Sequence, residues 1–158
     1  MKFKNLITTL DSHTEGQSTR VIVSGFPNIP GKTMAEKKEF VKNNLDYLRT
    51  AILHEPRGVM SSFGALMTPP VTEGAAFGAV WMEIGEEKET RYIDGCLHGT
   101  IGIATTAVEM GIVEAREPVT EIAIDVPSGT VHARVNIENG KAKNVTAVSY
   151  THLTLPTN

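Results

Sequence analysis

Cys96, the single cysteine of the chain, stands two residues before His98 in the stretch RYIDGCLHGTIGIATTAVEMG, residues 91–111. A thiolate is both a base and a nucleophile, and an imidazole beside it can orient it or stabilise its charge. From Leu97 to Val108 there is no Asp, Glu, Lys or Arg. Ile101, Ala104, Ala107 and Val108 define one helical face while Ile103 and Met110 point elsewhere, the pattern of a helix buried on most sides. Gly111 is placed to end it in a left-handed cap. Cys96 then sits at the N-terminal mouth of a central helix wrapped by strands. Free N–H groups and the partial positive charge there lower a thiol pKa. The same donors bind carboxylates or phosphates. The pattern predicts a low-pKa, solvent-reachable thiol base beside an anion cradle. The alternative is a small core residue, since free Cys is among the most buried residue types. Gly99 and Gly102 each disfavour helix by about 1 kcal/mol relative to Ala, which points to close approach by a packed strand or a ligand. Metal binding is the weaker reading, because Cys-x-His offers two ligands and nothing nearby completes a tetrahedral set.

The elements that must carry this site follow an α/β pattern. LITTL (6–10) and RVIVSG (20–25) read as short strands, and FPNIPGKT (26–33) as a loop. Thr33 and Glu36 form a capping-box pair at the start of a helix. Val41, Leu45, Leu48 and Ile52 continue it at helical spacing, and Pro56 stops it. FGALMTPP (63–70) and FGAVWME (77–83) are strand candidates, and the charged IGEEKET (84–90) reads as a solvated hairpin tip. EIAIDV (121–126) and TVHARVNI (130–137) alternate as half-buried strands do, and Asn139-Gly140 is a strong turn signal into NVTAV. Trp81 reads as core or subunit contact. His13 reads as structural, and Arg20 and Arg57 as loop anchors.

Composition bounds the partners. The 158 residues are 41% hydrophobic and 21% charged, the balance of one soluble globular domain. A net charge of -3 gives no electrostatic case for nucleic acid or an anionic membrane. No segment approaches a membrane span, and the N-terminal apolar run is too short for a signal peptide. A lone cysteine forms no internal disulfide, so a reducing cytoplasm is expected.

Four stretches carry a resemblance. LDSHTEGQSTR (10–20), NLDYLRTAILHEPRG (44–58), CLHGTIGIATTAVEMG (96–111) and PSGTV (127–131) resemble, in order, the N-terminal half of the proline racemase family. The resemblance implies half of a diaminopimelate-epimerase-like α/β (α+β) fold, a curved and mostly antiparallel sheet wrapped around a central buried helix. It implies cofactor-independent inversion of the α-carbon of proline or hydroxyproline, a small-molecule substrate and no metal. A thiolate takes the α-proton on one face and a thiol on the other face returns one. Cys96 falls in the role of the first thiol. Leu97 and His98 fall at positions that meet the substrate, Gly99 and Thr100 continue the anion-binding helix start, and Phe63 matches an aromatic that packs on the pyrrolidine ring.

The departures bear on function. Gly95-Cys96-Leu97-His98 stands where the family usually has Met-Cys-Gly-His, and Val59 where it has His. The family's second cysteine falls in a half that this sequence does not contain. Residues 1–148 are therefore read as one racemase-like domain, with 149–158 as a tail outside the pattern that has the character of a cloning or assembly artefact. The isolated chain is expected to be inactive in racemisation, with a homodimer of halves left open. Two alternatives stand beside the racemase: the 3-hydroxyproline dehydratase branch, and a non-catalytic half-domain that binds small carboxylates.

Overall fold

The two periodicities resolve into eight strands and three helices among the described residues, 5–85 and 91–148, of the computed structural model. Strands β1 (Thr8–Thr14) and β2 (Gln17–Ser24) form a hairpin. Its turn is Glu15-Gly16, with φ of 48° and 90°. Helices α1 (Met34–Asn44) and α2 (Asp46–Leu53) follow, then β3 (Phe63–Thr68), β4 (Phe77–Glu83) and the short β5 (Tyr92–Ile93). Helix α3 (Leu97–Glu109) precedes a meander of β6 (Val119–Val126), β7 (Gly129–Glu138) and β8 (Lys141–Val148). The strand order is β1-β2-β3-β4-β6-β7-β8, with β5 on β4. Only β2–β3 and β4–β6 are parallel, so the open sheet is mixed and mostly antiparallel.

Each face of the sheet carries its own helices, and side-chain alternation assigns residues to them. Trp81, Ala79, Phe77 and Val21 pack with Ile103, Ala104 and Ala107 of α3. Their strand neighbours Val80, Met82 and Ile22 pack with Val41, Leu48, Ile52 and Leu53 of α1 and α2. Coverage on both faces is why β3 and β4 read as unbroken apolar runs rather than alternating ones. The sheet curves around α3 far enough that both edge strands, β1 and β8, touch that helix. The expected central helix wrapped by strands is the observed architecture. Gly111 (φ 68°) ends α3, with the Ile112 N–H bonded to Ala107 O at 2.8 Å.

Three expectations are corrected in detail. The single helix running to Pro56 is two, because the backbone leaves helical geometry at Leu45 (φ -124°, ψ 9°). Asp46 restarts the helix there, and its carboxylate is held by Arg49, Arg91 and Tyr92. Glu36 closes the α1 cap, but it bonds Lys32 N–H at 2.7 Å, one residue before Thr33. The first strand runs through the polar DSHT rather than ending at residue 10, because the Glu15-Gly16 turn folds β2 back on it. Residues 86–90 of the charged tip and the tail 149–158 lie outside the described residues.

Candidate active site

Cys96 is the N-cap of α3. Its backbone is extended (φ -151°, ψ 117°) and its Sγ accepts the Gly99 N–H at 3.4 Å. The sulfur thus stands where Ser or Asp usually caps a helix. His98 folds back over it, with Nδ1 3.0 Å from Sγ. The other ring nitrogen, Nε2, is buried and has no partner among the described residues. Phe63, at the start of β3, lies with its ring centroid 4.5 Å from that of His98 and 6.0 Å from that of Trp81. Thr100 Oγ1 donates to Cys96 O at 2.8 Å, and its N–H bonds the same carbonyl at 2.9 Å. Leu97 is 61% exposed, so it rims the site rather than filling it.

The helix-start glycines answer to packed side chains. A Cβ on Gly99 would sit 2.8 Å from Phe63 Cε1 and 3.1 Å from Trp81 Cζ3. One on Gly102 would sit 2.7 Å from Thr19 Oγ1. Strands β2, β3 and β4 therefore press against the first turns of α3, which explains two residues that weaken the helix. The loop before the thiol is clamped from two sides. Lys38 of α1 bonds the Asp94 carboxylate at 2.6 Å, and the Ser128 N–H bonds Asp94 O at 3.1 Å.

The thiol itself departs from expectation. Burial, the largest influence, pushes its pKa up; the Gly99 N–H pulls it down, the Glu83 carboxylate pushes it up and the His98 N–H pulls it down. The net direction is upward. The physical reason is that the sulfur packs against the cluster holding Phe63 and Trp81. Loss of water there outweighs the two helix-start donors. The upward shift favours the protonated thiol over the thiolate at this position. The rate of iodoacetamide alkylation against pH is expected to show a midpoint above that of free cysteine. A midpoint at or below the free value would reverse this assignment.

The remaining candidates are structural. The Arg20 guanidinium grips Asp11 at 2.7 and 2.8 Å and donates to Ile52 O and Arg57 O. Arg57 donates to Ala51 O at 3.2 Å, and His13 Nδ1 accepts the Gly16 N–H at 3.3 Å within the β1–β2 turn. Trp81 is fully buried core. Among the described residues no three His, Cys, Asp or Glu side chains group to hold a metal ion, and no helix is long and apolar enough to cross a membrane. Sequence reasoning missed Glu83, at the C-terminal end of β4, which acts on the thiol from a strand thirteen residues upstream. The only signal was its position at the end of an apolar strand.

The model of the family described as proline racemase matches residues 9–153. A proline racemase of Clostridioides difficile is 48% identical over 145 residues, spanning 92% of this chain and 42% of that protein. A trans-3-hydroxy-L-proline dehydratase of Burkholderia ambifaria is 35% identical over 149 residues, spanning 94% of this chain and 43% of that protein. The crystal structure of a hydroxyproline epimerase from Agrobacterium vitis, with bound trans-4-hydroxy-L-proline, superposes with a TM-score of 0.84 at 26% identity. It covers 93% of this chain and 42% of that one. The chain thus spans less than half the length of the proteins it matches. The α+β fold, the matched sequence and the structural likeness agree, and the chain belongs to the proline racemase family.

Proposed function

We propose that this chain supplies the one-thiol half of a cofactor-independent racemase or epimerase site for proline or hydroxyproline. The observation that carries this is the Cys96–His98 contact of 3.0 Å at the start of a buried helix, in a chain of this family. Cys96 is the base. Its S–H proton passes to His98 Nδ1, and the thiolate then takes the substrate α-proton. An S–H bond forms, the Cα–H bond breaks, and the electron pair spreads into the substrate carboxylate. Phe63 packs on the pyrrolidine ring, and His98 Nε2 offers a polar contact to the ligand. The carboxylate is met at the helix start, by the Leu97 N–H and in competition with Sγ for the His98 and Gly99 N–H groups. Thr100 fixes the Cys96 carbonyl and so the direction of that first turn. Leu97 narrows the entrance. A reducing cytoplasm suits a lone reactive thiol.

Inversion needs an acid and a base on opposite faces of one carbon. Cys96 reaches one face and can only return the proton it removed, or a solvent-exchanged one, to that face. The test is incubation of the chain with L-proline and with trans-4-hydroxy-L-proline in D2O. Deuterium should enter at the α-carbon without loss of optical rotation. Exchange with loss of rotation would show that two copies assemble a two-face site. No exchange would favour a half-domain that binds carboxylates without chemistry. The likeness to a dehydratase supports a second reading, in which trans-3-hydroxy-L-proline loses water once a partner half supplies the acid. Both readings assign Cys96 the same first step.

A further inference from the structure

We propose that Lys38 and Asp94 are positioning residues for the thiol: their ion pair, made by a helix on the sheet face opposite α3, fixes where Cys96 stands when it takes the substrate proton. The assignment rests on the reading of Cys96 as the base. Strand β4 ends at Glu83, opposite Phe63 of β3, and β5 returns beside it with Tyr92 against Met82 and Ile93 against Trp81. Tyr92 is buried on the face of α1 and α2, and its hydroxyl bonds the Asp46 carboxylate at 3.0 Å. Ile93 packs on the α3 face. Cys96 is fixed in turn by α3. Its carbonyl accepts the Thr100 N–H at 2.9 Å, and its Sγ accepts the Gly99 N–H at 3.4 Å. Asp94 and Gly95 are thus a two-residue connector between anchored ends.

Two contacts hold this connector. The Ser128 N–H, from the β6–β7 turn, bonds Asp94 O at 3.1 Å, and Lys38 Nζ donates to the Asp94 carboxylate at 2.6 Å. Gly95 brings no side chain, and a Cβ there would stand 3.2 Å from Ser128 Oγ. The two partners of the ion pair differ in burial. The Lys38 side chain is 15% exposed and that of Asp94 64%. A lysine with a buried stem delivers its ammonium to one place, and the freer carboxylate is drawn to it. Glu39 also lies near the ammonium, at 3.8 Å, so the short contact belongs to Asp94. Through it α1, 56 residues upstream, holds the connector by its side chain.

The pair matters more to chemistry than to stability. A partly exposed ion pair contributes little to folding. A reacting group displaced by about 1 Å, however, can lose about 10²-fold in rate. The Cα atoms of Asp94 and Cys96 are at most about 7 Å apart, so a shift of the connector reaches the sulfur through one glycine. The N–H groups of residues 97–100 belong to α3 and stay where the helix holds them. Cutting the pair therefore slows proton removal while leaving the fold and the carboxylate-binding donors in place.

The test is a double-mutant cycle on α-deuterium exchange of L-proline by the full chain, using Lys38→Met, Asp94→Ala and the double variant. Methionine keeps the aliphatic stem of Lys38 packed, and Asp94 is exposed enough for truncation to be accommodated. Each single variant should lower the maximal exchange rate by about 10- to 100-fold. The proline concentration giving half that rate should stay within about threefold of native, as expected when only the transition state is affected. The urea midpoint should move by less than about 0.5 M. The double variant should be no slower than the slower single one, because both changes cut the same link. Single variants within about twofold of native, or losses that multiply in the double variant, overturn the assignment and leave Cys96 as the base. A rate loss accompanied by a larger shift of the urea midpoint overturns it too, by showing a structural role alone. A native chain that does not exchange removes the base reading, and this assignment fails with it.

Discussion

Replacing Cys96 with alanine is expected to lower α-deuterium incorporation by this chain by about 10²–10⁴-fold, the usual contribution of a positioned general base. The reason is positional as well as chemical. Sγ is capped by the Gly99 N–H at 3.4 Å and lies 3.0 Å from His98 Nδ1, and no second thiol exists in the sequence. The same atom also caps the helix, so the alanine variant loses about 1 kcal/mol of stability together with its base. Cys96→Ser separates the two roles. A hydroxyl caps a helix well, yet it is far too weak an acid to supply the base near neutral pH. The serine chain should therefore hold its native unfolding midpoint and still fail to exchange. The comparison needs only mass-spectrometric deuterium uptake by L-proline and a urea titration of each variant. A serine chain that keeps exchange within about tenfold of native would place the base elsewhere.

The architecture was legible where period and punctuation agreed. The 13-residue α3 begins after Cys96 and ends at Gly111, as its uncharged run and terminal glycine implied. The β6–β7–β8 meander follows the alternation and the Asn139-Gly140 signal. What escaped was set by tertiary contacts. Leu45 keeps the apolar spacing across α1 and α2, and the break there belongs to an Asp46 carboxylate recruited by Arg49 of its own helix and by Arg91 and Tyr92 from the segment of β5. The polar DSHT segment gave no apolar alternation, because β1 is an edge strand half open to solvent. At the site, the chain-local pair Cys96 and His98 could be found from spacing, and the resemblance added Phe63. The direction of the thiol shift could not be found. A helix N-terminus is a feature of local sequence, whereas the water excluded by Phe63 and Trp81 depends on strands distant in the chain. Glu83 was hidden for the same reason, since its place opposite Phe63 is a matter of strand register.

Arg49→Ala is expected to destabilise the fold by about 3 kcal/mol, because it removes a buried guanidinium, leaves Glu83 O without its donor and leaves the Asp46 carboxylate to Arg91 and Tyr92 alone. Arg49 is 1% exposed. Its guanidinium bonds the Asp46 carboxylate at 2.7 and 3.3 Å and Glu83 O at 2.8 Å, and meets His54 Nε2 at 3.2 Å. It therefore ties α2 to the end of β4. Burial alone would raise the Asp46 pKa; the hydrogen bonds from Arg49 and Tyr92, with the nearby charges of Arg49 and Arg91, outweigh it and bring the net direction below 3.8. A lowered carboxylate contributes stability that is fully present above its unfolded value and is lost as pH falls through its folded one. In Arg49→Ala the largest opposing contribution is gone, so the Asp46 carboxyl shifts upward and protonates more readily in the folded state. The gap between native and variant stability should thus be widest near neutral pH and should narrow as pH falls below about 4. Arg49→Met with Asp46→Asn removes both charges together and should recover much of the loss, since it leaves no unpaired buried ion. Urea unfolding at pH 7 and pH 3.5 checks all of these outcomes. A loss below about 1 kcal/mol at pH 7, or a gap that widens toward acid, would show that the Arg49–Asp46 pair does not hold this corner of the fold together.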